Sequence, residues 1–89
     1  MAFVYLLRCG DGTLYCGWTN DLAARLAAHA GGIGAKYTRG RLPVEIAAAW
    51  EVGDRGTAMS LEHRIKRLDR PAKERLVAGE ALANAVRRA

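Results

Sequence analysis

Two short runs of aromatic and branched residues flank a Gly-Asp-Gly triplet near the start of the chain. No other feature limits the fold as much. Phe3 to Arg8 and Thr13 to Trp18 each read as a strand, and Gly10-Asp11-Gly12 reads as the loop of a β-hairpin. With a three-residue loop and Gly12 in the left-handed region, Cys9 faces Thr13, Leu7 faces Tyr15 and Tyr5 faces Gly17. Side chains alternate along a strand, so Tyr5 and Tyr15 then share one face as diagonal neighbours. A loop of two or four residues would separate them. Cys9 and Cys16 fall on opposite faces, which argues against a disulfide between them. No Cys-x-x-Cys or Cys/His metal spacing is present, and a reducing, cytoplasmic setting is expected.

The chain has 89 residues, enough for one small domain spanning 1–89. Seventeen of its residues are Ala, so the large apolar side chains must build a thin core. No run of 18 apolar residues exists to cross a membrane, and no basic n-region suggests a secretory signal. Basic residues outnumber acidic ones 14 to 9, for a net charge of +5, and eleven of the 14 are Arg. Arg presents a planar, permanently charged donor fork that suits phosphate, so a nucleic-acid partner is expected. The same composition also fits an ordinary Arg- and Ala-rich surface.

Beyond the hairpin, Thr19-Asn20-Asp21 supplies cap residues for a helix running to Ala30, stopped by Gly31-Gly32. Leu22 and Leu26 should mark its buried stripe, with Arg25 and His29 projecting together from a neighbouring one. Ile33 to Pro43 reads as an irregular basic loop, with Lys36, Arg39 and Arg41 around Tyr37 and Thr38. Val44 to Val52 is a third strand whose period three consecutive alanines blur. Gly53 to Gly56 reads as a turn. A second helix is expected from near Thr57, its apolar face formed by Ala58, Leu61, Ile65 and Leu68. Asp69 with Pro71 signals another helix start, and the Ala- and Arg-rich segment 78–89 reads as a short helix or tail. The order is β-β-α-β-α-α: an α/β domain with a small, mostly antiparallel three-stranded sheet flanked by helices, its core spanning about residues 3–77.

Taken singly, the polar candidates have ordinary readings. Tyr5 and Tyr15 could be cross-strand aromatics, Arg25 and His29 a solvated face, and Glu62 the i+4 partner of Lys66. In order and combination they point elsewhere. Phe3-Val4-Tyr5, then Tyr15-Cys16-Gly17, then Asn20-Asp21-Leu22 with Arg25 and His29, then Gly34-Ala35-Lys36-Tyr37-Thr38-Arg39-Gly40-Arg41 with Pro43, and finally Leu61-Glu62-His63-Arg64-Ile65-Lys66-Arg67-Leu68, resemble the GIY-YIG nuclease domain. The likeness is to the compact bacterial UPF0213, or YhbQ-like, family, and it covers about residues 3–77. Phe3, Val4 and Cys16 replace the nominal Gly, Ile and second Ile. Trp18 stands where some branches carry Lys, and Lys36 from the loop is a candidate replacement cation.

The resemblance implies a divalent-metal-dependent endonuclease that hydrolyses DNA phosphodiesters, with a repair or structure-selective role. Tyr5 would help activate the attacking water, and Tyr15 would position the water or the phosphate. Arg25 would neutralise charge, and His29 would accept or relay a proton. Glu62 would hold one Mg²⁺ or Mn²⁺, weakly without substrate. Lys36, Tyr37, Arg39 and Arg41 are the expected substrate contacts. The alternative is a non-catalytic nucleic-acid-binding module that keeps the fold. A third reading is a protein-interaction module using the Ala-rich C-terminal helix. No separate base-reading element is evident, so specificity would come from a homodimer, a targeting partner or recognition of duplex or branched DNA shape.

Overall fold

The computed structural model describes residues 1–83. Its first strand, β1 (Ala2–Arg8), is the centre of a three-stranded antiparallel sheet of order β2-β1-β3, with β2 spanning Leu14–Thr19 and β3 spanning Glu45–Val52. The hairpin has the expected register: Leu7 pairs with Tyr15 and Tyr5 with Gly17. Gly12 sits at φ +85°, and Cys9 N–H closes the loop on the Thr13 carbonyl at 2.9 Å. A side chain at Gly12 would be strained there, so the glycine selects the loop and the loop selects the register.

Alternation along β1 gives the sheet two differently used faces. Ala2, Val4 and Leu6 join Cys16, Ala58, Ile65 and Leu76 in the main core, under helices α3 (Arg55–Lys66) and α4 (Arg70–Val77). Tyr5, Leu7 and Cys9 take the other face, and all three are buried as well. A central strand buried on both faces explains why Phe3 to Leu7 is a continuous apolar run. Each Val- or Leu-sized side chain so buried contributes about 1.5–3 kcal/mol.

The tyrosine face is covered by α1 (Leu22–Ala30) and by a four-residue helical turn, α2 (Lys36–Arg39). The sequence reads the segment holding α2 as irregular; Thr38 N–H to the Ala35 carbonyl, 3.0 Å, closes the turn. Leu22 and Leu26 in α1 are only half-buried, and the fully buried side chain of this helix is His29. The expected order of stripes is therefore corrected: His29 points inward, toward Tyr5.

Asp21, Asp54 and Asp69 cap α1, α3 and α4, each accepting a backbone N–H through its side chain. Asp54 starts α3 at Arg55, two residues before the expected Thr57, so part of the expected turn is helix. In β3, Leu6 pairs with Ala48 but Leu7 pairs with Ile46, leaving Ala47 as a bulge. That inserted residue is why the alanine run has no readable period. Cys9 and Cys16 are both free and buried. The end of the Ala- and Arg-rich tail, Arg87 and Arg88 included, lies outside the described residues. Among those residues, no helix is long and apolar enough to cross a membrane.

Candidate active site

The hairpin register places the phenols of Tyr5 and Tyr15 side by side, and α1 lowers His29 between them. Tyr5 Oη lies 3.0 Å from His29 Nε2, in a buried hydrogen bond. The Tyr15 ring lies against the same imidazole, with centroids 5.4 Å apart. On its far side His29 Nδ1 meets Thr38 Oγ1 at 2.8 Å, and that hydroxyl donates to the Ala35 carbonyl at 2.9 Å. Two glycines allow this close packing. A Cβ on Gly17 would overlap the Tyr5 phenol, and one on Gly34 would overlap the His29 ring.

Charge and burial set the protonation states. Burial pushes the Tyr5 phenol above its ordinary value, and the Arg25 guanidinium beside it works in the opposite direction. Burial pushes the His29 imidazole below its ordinary value, and the positive charge of Arg25 adds to that. The resting site thus holds a neutral phenol against a neutral imidazole. Cys16, next to Tyr15 in sequence, takes no part: burial pushes its thiol up to about 12, so no nucleophilic thiolate is available near neutrality.

Around this pair the other candidates form an outer ring. Tyr37 stacks on Tyr15 with centroids 5.6 Å apart, and the Arg41 guanidinium covers the Tyr37 ring at 3.9 Å. Arg41 also pairs with Asp11 at 3.0 Å and donates to the Tyr37 carbonyl at 2.8 Å, so it ties the hairpin tip to α2. Lys36 and Arg39 are exposed on α2 and make no hydrogen bond or ion pair among the described residues.

Glu62 comes from α3, which packs on the other side of the sheet against the edge strand β2, and its carbonyl oxygen lies 4.0 Å from Cys16 Sγ. Its Oε1 is 3.7 Å from Lys66 Nζ, which in turn stands 5.8 Å from the Tyr15 ring centroid. Tyr5, His29, Tyr15, Lys66 and Glu62 therefore form one contiguous set, with Arg25 beside Tyr5. Lys66 is the residue that the sequence reading left out of the site. It stands in the Leu61 to Leu68 stretch that carries the resemblance, but its i+4 spacing from Glu62 equally describes a surface ion pair. Lys66 places a cation beside the second tyrosine.

Comparisons with known proteins agree with this geometry. The GIY-YIG catalytic domain model matches residues 1–75. A UPF0213 protein of Natronomonas pharaonis is 51% identical over 78 residues, covering 88% of this chain and 92% of its own. A UPF0213 protein of Halalkalibacterium halodurans is 47% identical over 75 residues, covering 84% of this chain and 80% of its own. The solution NMR structure of a UPF0213 protein from Bacillus halodurans superposes with a TM-score of 0.58 at 44% identity, covering 90% of this chain and 86% of that one. The paired tyrosines, the helix that brings His29 to them and these matches lead to one assignment: the chain belongs to the GIY-YIG catalytic domain family, among the UPF0213 proteins.

Proposed function

We propose that the protein is a divalent-metal-dependent endonuclease that hydrolyses phosphodiester bonds in DNA. The observation that carries this reading is the buried hydrogen bond between Tyr5 Oη and His29 Nε2, in a chain of a nuclease family. Anionic phosphodiesters repel nucleophiles, so a catalyst must supply positive charge at the phosphate and a base for water. A phenol held above its usual value is a poor standing base. The hydrogen bond to neutral His29 supplies the missing acceptor. As Tyr5 Oη takes a proton from the attacking water, its own proton passes to His29 Nε2. The water oxygen bonds to phosphorus, and the P–O bond to the leaving sugar oxygen breaks. That oxygen keeps the electron pair and takes a proton from solvent. The proton on His29 returns through Tyr5 once product has left, which resets the pair.

Arg25 and Lys66 neutralise charge around the phosphate, Tyr15 orients the water or phosphate, and Lys36, Tyr37, Arg39 and Arg41 line the approach. Glu62 would hold the ion. It is a single, partly buried hard oxygen donor, and no cluster of three or more His, Cys, Asp or Glu suited to a metal occurs among the described residues. Such a donor set fits Mg²⁺ or Mn²⁺, which retain water and accept phosphate oxygens, and does not fit a tightly held structural metal. When bound, the ion supplies Lewis-acid charge to the phosphate.

The test is a panel of single-stranded, duplex, flapped and junction DNA with Mg²⁺ or Mn²⁺, using wild type, Glu62→Ala and Tyr5→Phe. Nicking should require the metal, and each substitution should lower it by about 100-fold or more while the fold is retained. A +5 chain that retains DNA but cuts none of the panel under either metal would instead be the binding module. Unequal rates across the panel would identify the DNA structure it processes.

A further inference from the structure

Thr38 is fully buried in a turn whose neighbours, Tyr37 and Arg39, are exposed. Its hydroxyl has one hydrogen and two short contacts, the Ala35 carbonyl at 2.9 Å and His29 Nδ1 at 2.8 Å. A carbonyl can only accept, so the Thr38 hydrogen belongs to the Ala35 contact. His29 Nδ1 must then carry its own hydrogen and donate it to Thr38 Oγ1. Nε2 is left with a bare lone pair, and the Tyr5 hydroxyl donates to it across 3.0 Å. In the other tautomer Nε2–H donates to the phenol oxygen. The single Thr38 hydrogen must then serve either the Ala35 carbonyl or the bare Nδ1, and the remaining contact has no hydrogen in it. Only the first arrangement places a hydrogen in all three contacts.

We propose that Thr38 is a positioning residue: it locks His29 in the Nδ1–H tautomer and so reserves Nε2 for the proton of Tyr5. The tautomer assignment stands on the hydrogen bonds alone, whereas its catalytic consequence rests on the endonuclease reading above. Thr38 lies between Tyr37 and Arg39 in α2, so the turn that presents the proposed DNA contacts also holds the outer end of the relay. The relay is aligned only while that turn is folded.

The experiment uses the full chain with ¹⁵N-labelled histidine, as wild type, Thr38→Ser and Thr38→Val. Long-range ¹H–¹⁵N correlation spectra report the tautomer, and DNA cleavage with Mg²⁺ reports its consequence. Wild type and Thr38→Ser should show a protonated Nδ1 and a bare Nε2 at His29. Thr38→Val should lose that preference and cleave about 10- to 100-fold more slowly through kcat, with KM unchanged; this is the range expected when a group orienting a histidine is removed. Thr38→Ser should restore the rate. A wild-type spectrum with hydrogen on Nε2 overturns the lock without reference to any variant, and so survives a failure of Thr38→Val to fold. Wild-type cleavage matched by Thr38→Val overturns the positioning role. The expected spectra without cleavage by wild type support the lock and overturn the endonuclease reading.

Discussion

At Tyr5, burial and a neighbouring cation act in opposition, and burial prevails, so in the proposed relay the phenol needs a partner to act as a base. Under the same proposal, His29 serves as that partner only while neutral. Its imidazole is held below the ordinary 6.5, so the neutral form persists below that pH. The acid limb of kcat/KM should accordingly fall below pH 6.5, and a limb above 6.5 would remove His29 from the relay. The same depression costs stability in acid. The unfolded imidazole takes up a proton as pH drops through 6.5 while the folded one resists, so the native state loses ground from there downward. The glycines under these rings leave no room for a side chain. Gly17→Ala forces a methyl against the Tyr5 phenol, and should cost about 1–3 kcal/mol in urea unfolding, the usual penalty for overpacking a full core. An unchanged midpoint would show that the hairpin can shift to make room.

The elements are held together by a few long-range polar clamps as well as the apolar core. Arg8 on β1 makes two 2.6 Å bonds to the Glu74 carboxylate on α4, while Arg70 donates to the Gly12 carbonyl at 2.7 Å. This joins the hairpin tip to α4. The Arg8 guanidinium holds the Glu74 carboxyl below its usual 4.5. A depressed carboxylate stabilises the fold at pH above its unfolded value and loses that contribution as pH falls through its folded one. The stability difference between wild type and Glu74→Gln should therefore shrink from about pH 6 to about pH 3, measured by urea unfolding across that range. A constant difference would mean that the pair adds nothing to acid sensitivity. The sheet, the hairpin register and the helices α1, α3 and α4 were legible in the sequence, because Gly12, the Asp caps and the apolar spacing act locally. The α2 turn, the Ala47 bulge and the position of Lys66 were not. Each depends on how separate elements meet: α2 on the His29 ring it covers, Lys66 on the passage of α3 by an edge strand. His29 was named from the sequence for its chemistry, yet its depth was hidden, since nothing in Leu22 to Ala30 marks it as more buried than the leucines.

At the scale of the whole molecule, the described residues measure 33 × 28 × 19 Å, so their longest axis spans about ten base pairs of DNA, at 3.4 Å per step along each strand. A footprint of that size permits few phosphate contacts, and the +5 charge is not evenly available for them. Arg8 and Arg41 are engaged with Glu74 and Asp11, so their charge is already compensated inside the fold. Lys36 and Arg39, exposed on the turn beside Tyr37, remain able to exchange counterions for phosphate. Lys36 and Arg39, exposed, and Arg41, paired with Asp11, can thus be separated by experiment. Arg39→Ala should leave thermal stability unchanged and flatten the plot of log affinity against log salt on duplex DNA by about 0.9, one phosphate contact. Lys36→Ala should do the same. Arg41→Ala should lower thermal stability, because it breaks the Asp11 pair and uncovers the Tyr37 ring. Equal salt slopes for wild type and Arg39→Ala would place the DNA on another surface, and an unchanged melting temperature for Arg41→Ala would show the hairpin tip and α2 to be independent of that clamp.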